Sequence, residues 1–328
     1  MTIKSSQGSK FARIMSVGGA RGGRVVDNAE MCTMIDSTDE WITQRTGIKE
    51  RRWVTEDQDA RSLATEAATK AIERAGILSS EIDGIIVSTV SHFQQTPSLA
   101  CIVAADLGLA EPAAFDISAA CAGFSYGVGT AEAMVRAGQA KRVLVIGVEI
   151  LSSFIDISDR STAFLFSDGA GAVIVEGSDK PGLGPVVWGS TPEDHEVIQI
   201  DDWREDHGGE KPYIHMNGRQ VFRWATTFIA KKALEALEAS GLTPEELDVF
   251  IPHQANNRIT DSMLRHLKLP EDIVVSRDIV NMGNSSAASI PLAMEALLTS
   301  GEATSGQTAL IIGFGAGLAY SGQVVVLP

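Results

Sequence analysis

The sequence predicts an α/β protein made of two related halves, its layers running helix, sheet, shared helices, sheet and helix. Three observations predict this. First, the chain repeats itself: residues 69–88 (TKAIERAGILSSEIDGIIVS) align without a gap on residues 234–253 (LEALEASGLTPEELDVFIPH). Gly76 falls on Gly241, Glu81 on Glu246 and Asp83 on Asp248, each pair 165 positions apart. Second, helical patterns alternate with short continuous apolar runs, the mark of strands covered on both faces. Third, each half sets a cluster of small residues, Ser118–Ala122 and Gly283–Ala287, ahead of a further helical pattern.

In chain order, each repeat reads as an amphipathic helix ended by glycine, an acidic turn and an apolar strand, Ile85–Val87 or Val249–Ile251. The small-residue clusters come next, and the 165-residue spacing lays Cys121 on Ser286. One residue further on, Val143–Gly147 lies over Ala309–Gly313. Ala172–Val175 and Val324–Leu327 supply later strands. The helices starting near Cys121 and Ser286 are expected to pair between the sheets, where alanine and glycine permit close packing. The segment from Ser178 to Asn217, rich in Gly, Pro, Asp and Glu, reads as the connection, so the halves are taken as 1–180 and 181–328.

A chain of 328 residues, 44% hydrophobic and 21% charged, is long enough for a large core. It has no stretch near the roughly 20 uninterrupted apolar residues of a membrane span. Residues 1–10 are polar and lack the apolar core of a secretory signal, so a cytoplasmic protein with no membrane partner is expected. Three scattered cysteines and six histidines without ligand spacing predict neither disulfides nor a metal. A net charge of −15 argues against nucleic acid. Against that background two basic runs stand out. Lys211, Arg219, Arg223, Lys231 and Lys232 form one, and Arg258, Arg265 and Lys268 the other, together suited to an acidic partner.

The candidate chemistry gathers at element ends. Cys121 would lie near a helix N-terminus, where backbone N–H groups and the dipole favour a thiolate. His253 follows an apolar strand immediately, where sites form in such sheets. Asn284 sits in the small-residue loop before the second buried helix. A thiol, an imidazole and a carboxamide thus occupy strand and helix ends related by the repeat.

The stretches DISAACAGFSYG, IPHQANNRI, GNSSAASIPLAM and GFGAG resemble the beta-ketoacyl-acyl carrier protein synthases III, initiating condensing enzymes of type II fatty acid synthesis in the thiolase superfamily. So do DSTDEWITQRTGI and DRSTAFLFSDGAGA, and TVSHFQQTP and VFRWA are similar to actinobacterial members. The resemblance runs from Arg13 to Pro328. It implies a thiolase-like, five-layered αβαβα fold, a homodimer, acyl-CoA as a substrate, no cofactor, and acyl carrier protein as partner. By resemblance Cys121 is the nucleophile, His253 and Asn284 bind the malonyl thioester carbonyl, and the N–H groups of Cys121 and Ala316 form the oxyanion hole. Trp41 and Arg160 would enclose the adenine of CoA, Arg45 would reach its phosphates, and Asn256 and Phe314 would line the tunnel mouth. Gln254, Ala255, Asn256, Asn257 and Arg258, with Arg223 and Arg265, would face the carrier protein. His266 stands where well-known members have lysine, a departure at the edge of that patch. Thr96 occupies the place of a pocket-closing phenylalanine contributed across the dimer, which predicts branched or longer primers. A relative serving polyketide priming or acyl-chain joining would share all of these features. A papain-like hydrolase also orders cysteine, histidine and asparagine this way, but the repeat and the missing disulfides do not fit it.

Overall fold

The computed structural model describes residues 3–202 and 212–328. Lys211 of the first basic run lies outside the described residues. The strands of the first half are β1 (Phe11–Arg21), β2 (Gly84–Ser88), β3 (Ala113–Ile117), β4 (Arg142–Ile150) and β5 (Asp168–Ser178). Those of the second are β6 (Val187–Ser190), β7 (Val249–Pro252), β8 (Val274–Val275), β9 (Thr308–Gly315) and β10 (Ala319–Val326). They form two five-stranded sheets, ordered β1-β5-β4-β2-β3 and β6-β10-β9-β7-β8. The second order is the first with every label raised by five. The pairing repeats too: the three inner and edge strands β3, β2 and β4 run parallel, as do β8, β7 and β9, while β5 and β10 pair antiparallel on both sides.

Eight helices matter for the site: α1 (Asp39–Thr46), α2 (Ala60–Ala75), α3 (Leu99–Asp106), α4 (Gly123–Arg136), α5 (Gly218–Trp224), α6 (Ala230–Ala239), α7 (Asn257–Leu267) and α8 (Ser289–Ser300). α2 forms where expected because both ends are specified. Asp59 accepts the Ser62 N–H at 2.7 Å, Ser62 Oγ accepts the Asp59 N–H at 2.9 Å, and Gly76 closes the helix in the left-handed region. Its Leu63, Ala64, Ala67, Ala71 and Ile72 face the first sheet. α6 and α7 cover the second sheet from outside. α4 and α8 lie between the sheets, where Phe124, Val128, Ile290 and Met294 pack with Val145, Val173, Ile251 and Ile311 in one core. The layers are therefore helix, sheet, helix pair, sheet and helix.

Two readings need correction. The apolar runs mark six strands; β1, β3, β6 and β8 are not among them. β1 contains Gly18 and Gly19, and the other three are edge strands of mixed burial without a clear pattern. The segment read as the connection also carries β6. The repeat register also differs at the small-residue loops. A 3₁₀ turn at Ala120–Ala122 precedes α4, and its equivalent at Ser286–Ala288 precedes α8, both 166 positions apart. Ala120 (φ 43°) and Ser286 (φ 48°) both adopt the left-handed region, so Ser286 matches Ala120, and Cys121 matches Ala287. Glycine confirms this register. A Cβ on Gly147 would lie 2.3 Å from the Ala287 carbonyl oxygen, and one on Gly313 would lie 3.0 Å from that of Cys121.

Candidate active site

Each reactive side chain is placed by an element end. After β3 the chain turns through Ala120 in the left-handed region, and Cys121 occupies the 3₁₀ turn leading into α4. His253 leaves β7 with its N–H donating to the Ile312 carbonyl of β9 at 2.8 Å. Asn284 precedes the matching turn of α8 and is tied across the sheets, its N–H donating to Leu165 O and its carbonyl accepting from Ser167 N–H, both 2.9 Å. All three open on one cavity of about 450 Å³, together with Ser286, Phe314 and Ala316. Val90, Leu151, Phe154, Ile198 and Val221 make its remaining wall largely apolar.

Hydrogen bonds set the direction of both partners of the thiol. Asn284 Oδ1 accepts the Ser286 N–H at 2.9 Å, which turns the amide Nδ2 hydrogens toward the cavity. His253 Nδ1 lies 2.7 Å from Ser289 Oγ, and that hydroxyl accepts the Gln254 N–H at 3.3 Å. With the serine hydroxyl donating to Nδ1, the ring carries its hydrogen on Nε2. Phe314 fixes the ring from the side, edge-on with centroids 5.3 Å apart. Burial pushes the His253 pKa down to about 3, so the imidazole is neutral.

Cys121 departs from the expectation of a thiolate. The residue keeps partial access through the cavity, but the sulfur lies deep, and burial pushes the thiol pKa up to about 11. A hydrogen bond with Ser286 opposes this rise, and the charge of Glu149 adds to it. Loss of solvation is the largest influence, and the α-helix begins only after the 3₁₀ turn. Glu149 itself, fully buried at the end of β4, is pushed by burial up to about 7. Ser91 Oγ, Val90 N–H, Ser286 Oγ and Thr89 Oγ donate to it at 2.7, 3.1, 3.3 and 3.4 Å. The sequence reading missed Ser286, Ser289 and Glu149. Glu149 had a legible signal, a carboxylate inside a continuous apolar strand.

The other candidates divide. Trp41, Arg45 and Arg160 come together: both guanidinium groups lie over the indole, 5.1 and 5.9 Å from its centroid, and Arg160 also pairs with Asp36 at 3.2 Å. Arg223, Arg258 and Arg265 are exposed, and none has an ion pair among the described residues. Arg258 lies over the Phe222 ring at 5.6 Å, which joins α5 and α7 into one basic face. Arg265 follows Arg258 by two helical turns on the same side.

Gln254 is a correction. It is buried, its amide donating to Pro252 O at 2.8 Å and accepting Ile279 N–H at 3.2 Å, so it ties loops together and is not a surface contact. Asn256 is not at the cavity wall either; its Oδ1 caps α7 by accepting the Arg258 N–H at 2.8 Å, because the helix start leaves that donor free. Asn257 Oδ1 accepts from Arg277 at 3.3 Å, whereas Ala255 lines the cavity. Thr96 is exposed and does not line the cavity of its own chain. Among the described residues no three His, Cys, Asp or Glu side chains are grouped to hold a metal ion. No helix among them is long and apolar enough to cross a membrane.

A thiol opposite two neutral hydrogen-bond donors, where two duplicated halves meet, defines a condensing acyltransferase of the thiolase fold. The profile described as 3-oxoacyl-[acyl-carrier-protein (ACP)] synthase III matches residues 115–192, and its C-terminal counterpart matches residues 237–327. The chain is 52% identical to the beta-ketoacyl-[acyl-carrier-protein] synthase III of Streptomyces glaucescens over 330 residues, covering 99% of both. It is 49% identical to the mycobacterial beta-ketoacyl-[acyl-carrier-protein] synthase III of Mycobacterium marinum, covering 99% of this chain and 98% of that one. The crystal structure of the priming beta-ketosynthase from the R1128 polyketide biosynthetic pathway superposes with a TM-score of 0.96 at 43% identity, covering 100% and 98%. The chain belongs to the beta-ketoacyl-[acyl-carrier-protein] synthase III family.

Proposed function

We infer that the chain joins an acyl-CoA primer to malonyl-acyl carrier protein with loss of CO2, through an acyl group held on Cys121. The convergence of Cys121, His253 and Asn284 on one cavity carries this reading. Acylation forms the Cys121 thioester and releases CoA, with the N–H groups of Cys121 and Ala316 receiving the oxyanion; one such donor is worth about 3 kcal/mol. His253 Nε2–H and Asn284 Nδ2–H then hold the malonyl thioester carbonyl. Decarboxylation leaves an enolate on that oxygen, and two neutral donors suit the step because no proton has to be removed. The carbanion attacks the acyl-cysteine, the carbon–sulfur bond breaks, and the beta-ketoacyl product leaves.

In this reading Trp41, Arg45 and Arg160 hold the nucleotide end of CoA, and Phe314 borders its entry. Arg223, Arg258 and Arg265 meet the acidic carrier protein beside Ala255. Residues 1–180 form the half with the nucleophile and 181–328 the half with His253 and Asn284. The enzyme acts as a cytoplasmic homodimer in which the exposed Thr96 reaches the partner's cavity and leaves room for primers larger than acetyl. Acyl-CoA alone should leave a stable adduct on Cys121 by intact mass, discharged only when malonyl-carrier protein is added. Hydrolysis of that adduct to free acid, or an adduct on Cys121→Ala, would refute the reading. The likeness to a priming beta-ketosynthase favours one second reading, in which the acceptor is a polyketide carrier protein. Comparing the two carriers as acceptors separates them.

A further inference from the structure

The thiol of Cys121 has to lose a proton before it attacks, and the groups around it restrict where that proton goes. His253 is a poor acceptor for it. Its Nδ1 lies against Ser289 Oγ, burial disfavours a charged ring, and the tautomer that offers Nε2–H to the malonyl carbonyl has no free nitrogen lone pair. The side chain that meets the thiol on the cavity wall is Ser286, and Ser286 Oγ donates to Glu149 Oε1 at 3.3 Å. Glu149 has no access to solvent and no cationic partner among the described residues. What faces it are the hydroxyls of Thr89, Ser91 and Ser286 and the Val90 N–H; Cys121 is the titratable group that feels its charge.

We propose that Ser286 and Glu149 form a proton relay that draws the hydrogen from Cys121 during acylation and returns it during condensation. The proposal rests on Cys121 being the acylated nucleophile. In acylation the thiol proton passes to Ser286 Oγ as the serine's own proton passes to the Glu149 carboxylate. The sulfur electron pair forms the new thioester, and CoA departs as a thiolate that takes a proton from solvent. Glu149 holds its proton through the acyl-enzyme stage, shielded from water. In condensation the carbon–sulfur bond breaks toward Cys121, and the relay runs backward to restore the thiol. Over one cycle a single proton enters from solvent and leaves on CoA. Glu149 is a positioning residue in this scheme, acting on the sulfur only through Ser286, and a carboxyl with a pKa of about 7 is matched to accepting and returning a proton near neutrality.

The test is single-turnover release of CoA from acyl-CoA by the full-length protein, without carrier protein, across about three pH units centred on neutrality. It compares wild type, Glu149→Gln and Ser286→Ala. The wild-type rate should rise with pH and level above about 7, and both variants should be about 10²-fold slower and lose that inflection. A carboxylate that only fills space predicts the opposite sign: removing its charge makes the thiol more acidic and acylation faster. Rates at or above wild type, or a retained inflection, in either variant would overturn the relay. If Glu149→Gln fails to fold, Ser286→Ala decides alone, since alanine already occupies the matching left-handed position at Ala120. A wild-type protein that releases no CoA would sink the acyl-enzyme reading and the relay together; release by wild type with fast variants sinks only the relay.

Discussion

Gly315→Ala should silence the thiol while leaving the chain folded. Gly315 closes β9 in extended backbone (φ 177°), a conformation alanine adopts freely, so the substitution adds no backbone strain. What it adds is a methyl group 2.7 Å from Cys121 Cβ and 2.8 Å from its Sγ. Carbon atoms in ordinary contact stay about 3.5 Å or more apart, so the thiol or β9 must yield by about 1 Å. A displacement of about 1 Å at a reacting atom lowers the rate about 10²-fold, equivalent to roughly 3 kcal/mol of barrier. Overpacking of this kind also lowers stability by about 1–3 kcal/mol, which thermal unfolding would report separately. The assay is single-turnover acylation followed by intact mass. Gly218→Ala is the control, because a Cβ there meets nothing nearer than Met216 at 4.0 Å. Acylation by Gly315→Ala within about threefold of wild type would show that the Cys121 turn has slack, and the close-approach argument would fail.

Three further outcomes follow from the geometry. Trp41→Ala removes the ring on which both arginines lie, and should raise KM for acyl-CoA about tenfold; an unchanged KM would put the nucleotide elsewhere. Arg258→Glu reverses a charge that has no ion pair among the described residues, and should raise KM for malonyl-carrier protein about tenfold at low salt, with the effect shrinking as salt is added. A salt-independent change would point to packing on Phe222 instead. Glu149→Gln should be more stable than wild type at alkaline pH. Burial holds the folded pKa near 7, above the unfolded value of about 4.3, so folding takes up a proton between them and wild-type stability falls as pH rises through that window. The difference should approach roughly 3 kcal/mol above neutrality and close toward about pH 4 in thermal unfolding. A gap that widens on acidification would contradict the buried charge.

Much of this was legible because repeated helices and doubly covered strands leave strong periodic signals. The apolar run Val143–Val148 reads as a strand at sight, and the Gly76 and Gly241 helix ends mark the repeat. Edge strands such as Val274–Val275 left no such trace, since a two-residue strand with one neighbour has no pattern to show. The ends of the site were legible for Cys121, His253 and Asn284, whose placement follows from the sheets. Their protonation was not. Proximity to a helix terminus suggests a thiolate, but the depth of Cys121 and the charge of Glu149 depend on which strand end lies behind it. Nor does the order of residues tell that Gln254, between His253 and Ala255, turns inward to hold Pro252 and Ile279 while Arg258 turns out.

The corrected register explains how a duplicated loop serves two tasks. Both turns need a residue in the left-handed region, Ala120 in one half and Ser286 in the other, and both turns need the position after it to lie against the opposite sheet. In the first half that next position is Cys121, and in the second it is Ala287. The reactive thiol therefore does not face its own duplicate. It meets the left-handed position of the other turn, where the Ser286 hydroxyl lies between the sulfur and Glu149. An alanine there would keep the left-handed turn, as Ala120 does in the other half, and would remove the side-chain hydroxyl that meets the thiol. The left-handed turn itself does not require a hydroxyl at position 286, and burial of Glu149 behind it carries a desolvation cost that its hydrogen bonds only partly offset, the pattern of a group kept for chemistry and not for packing.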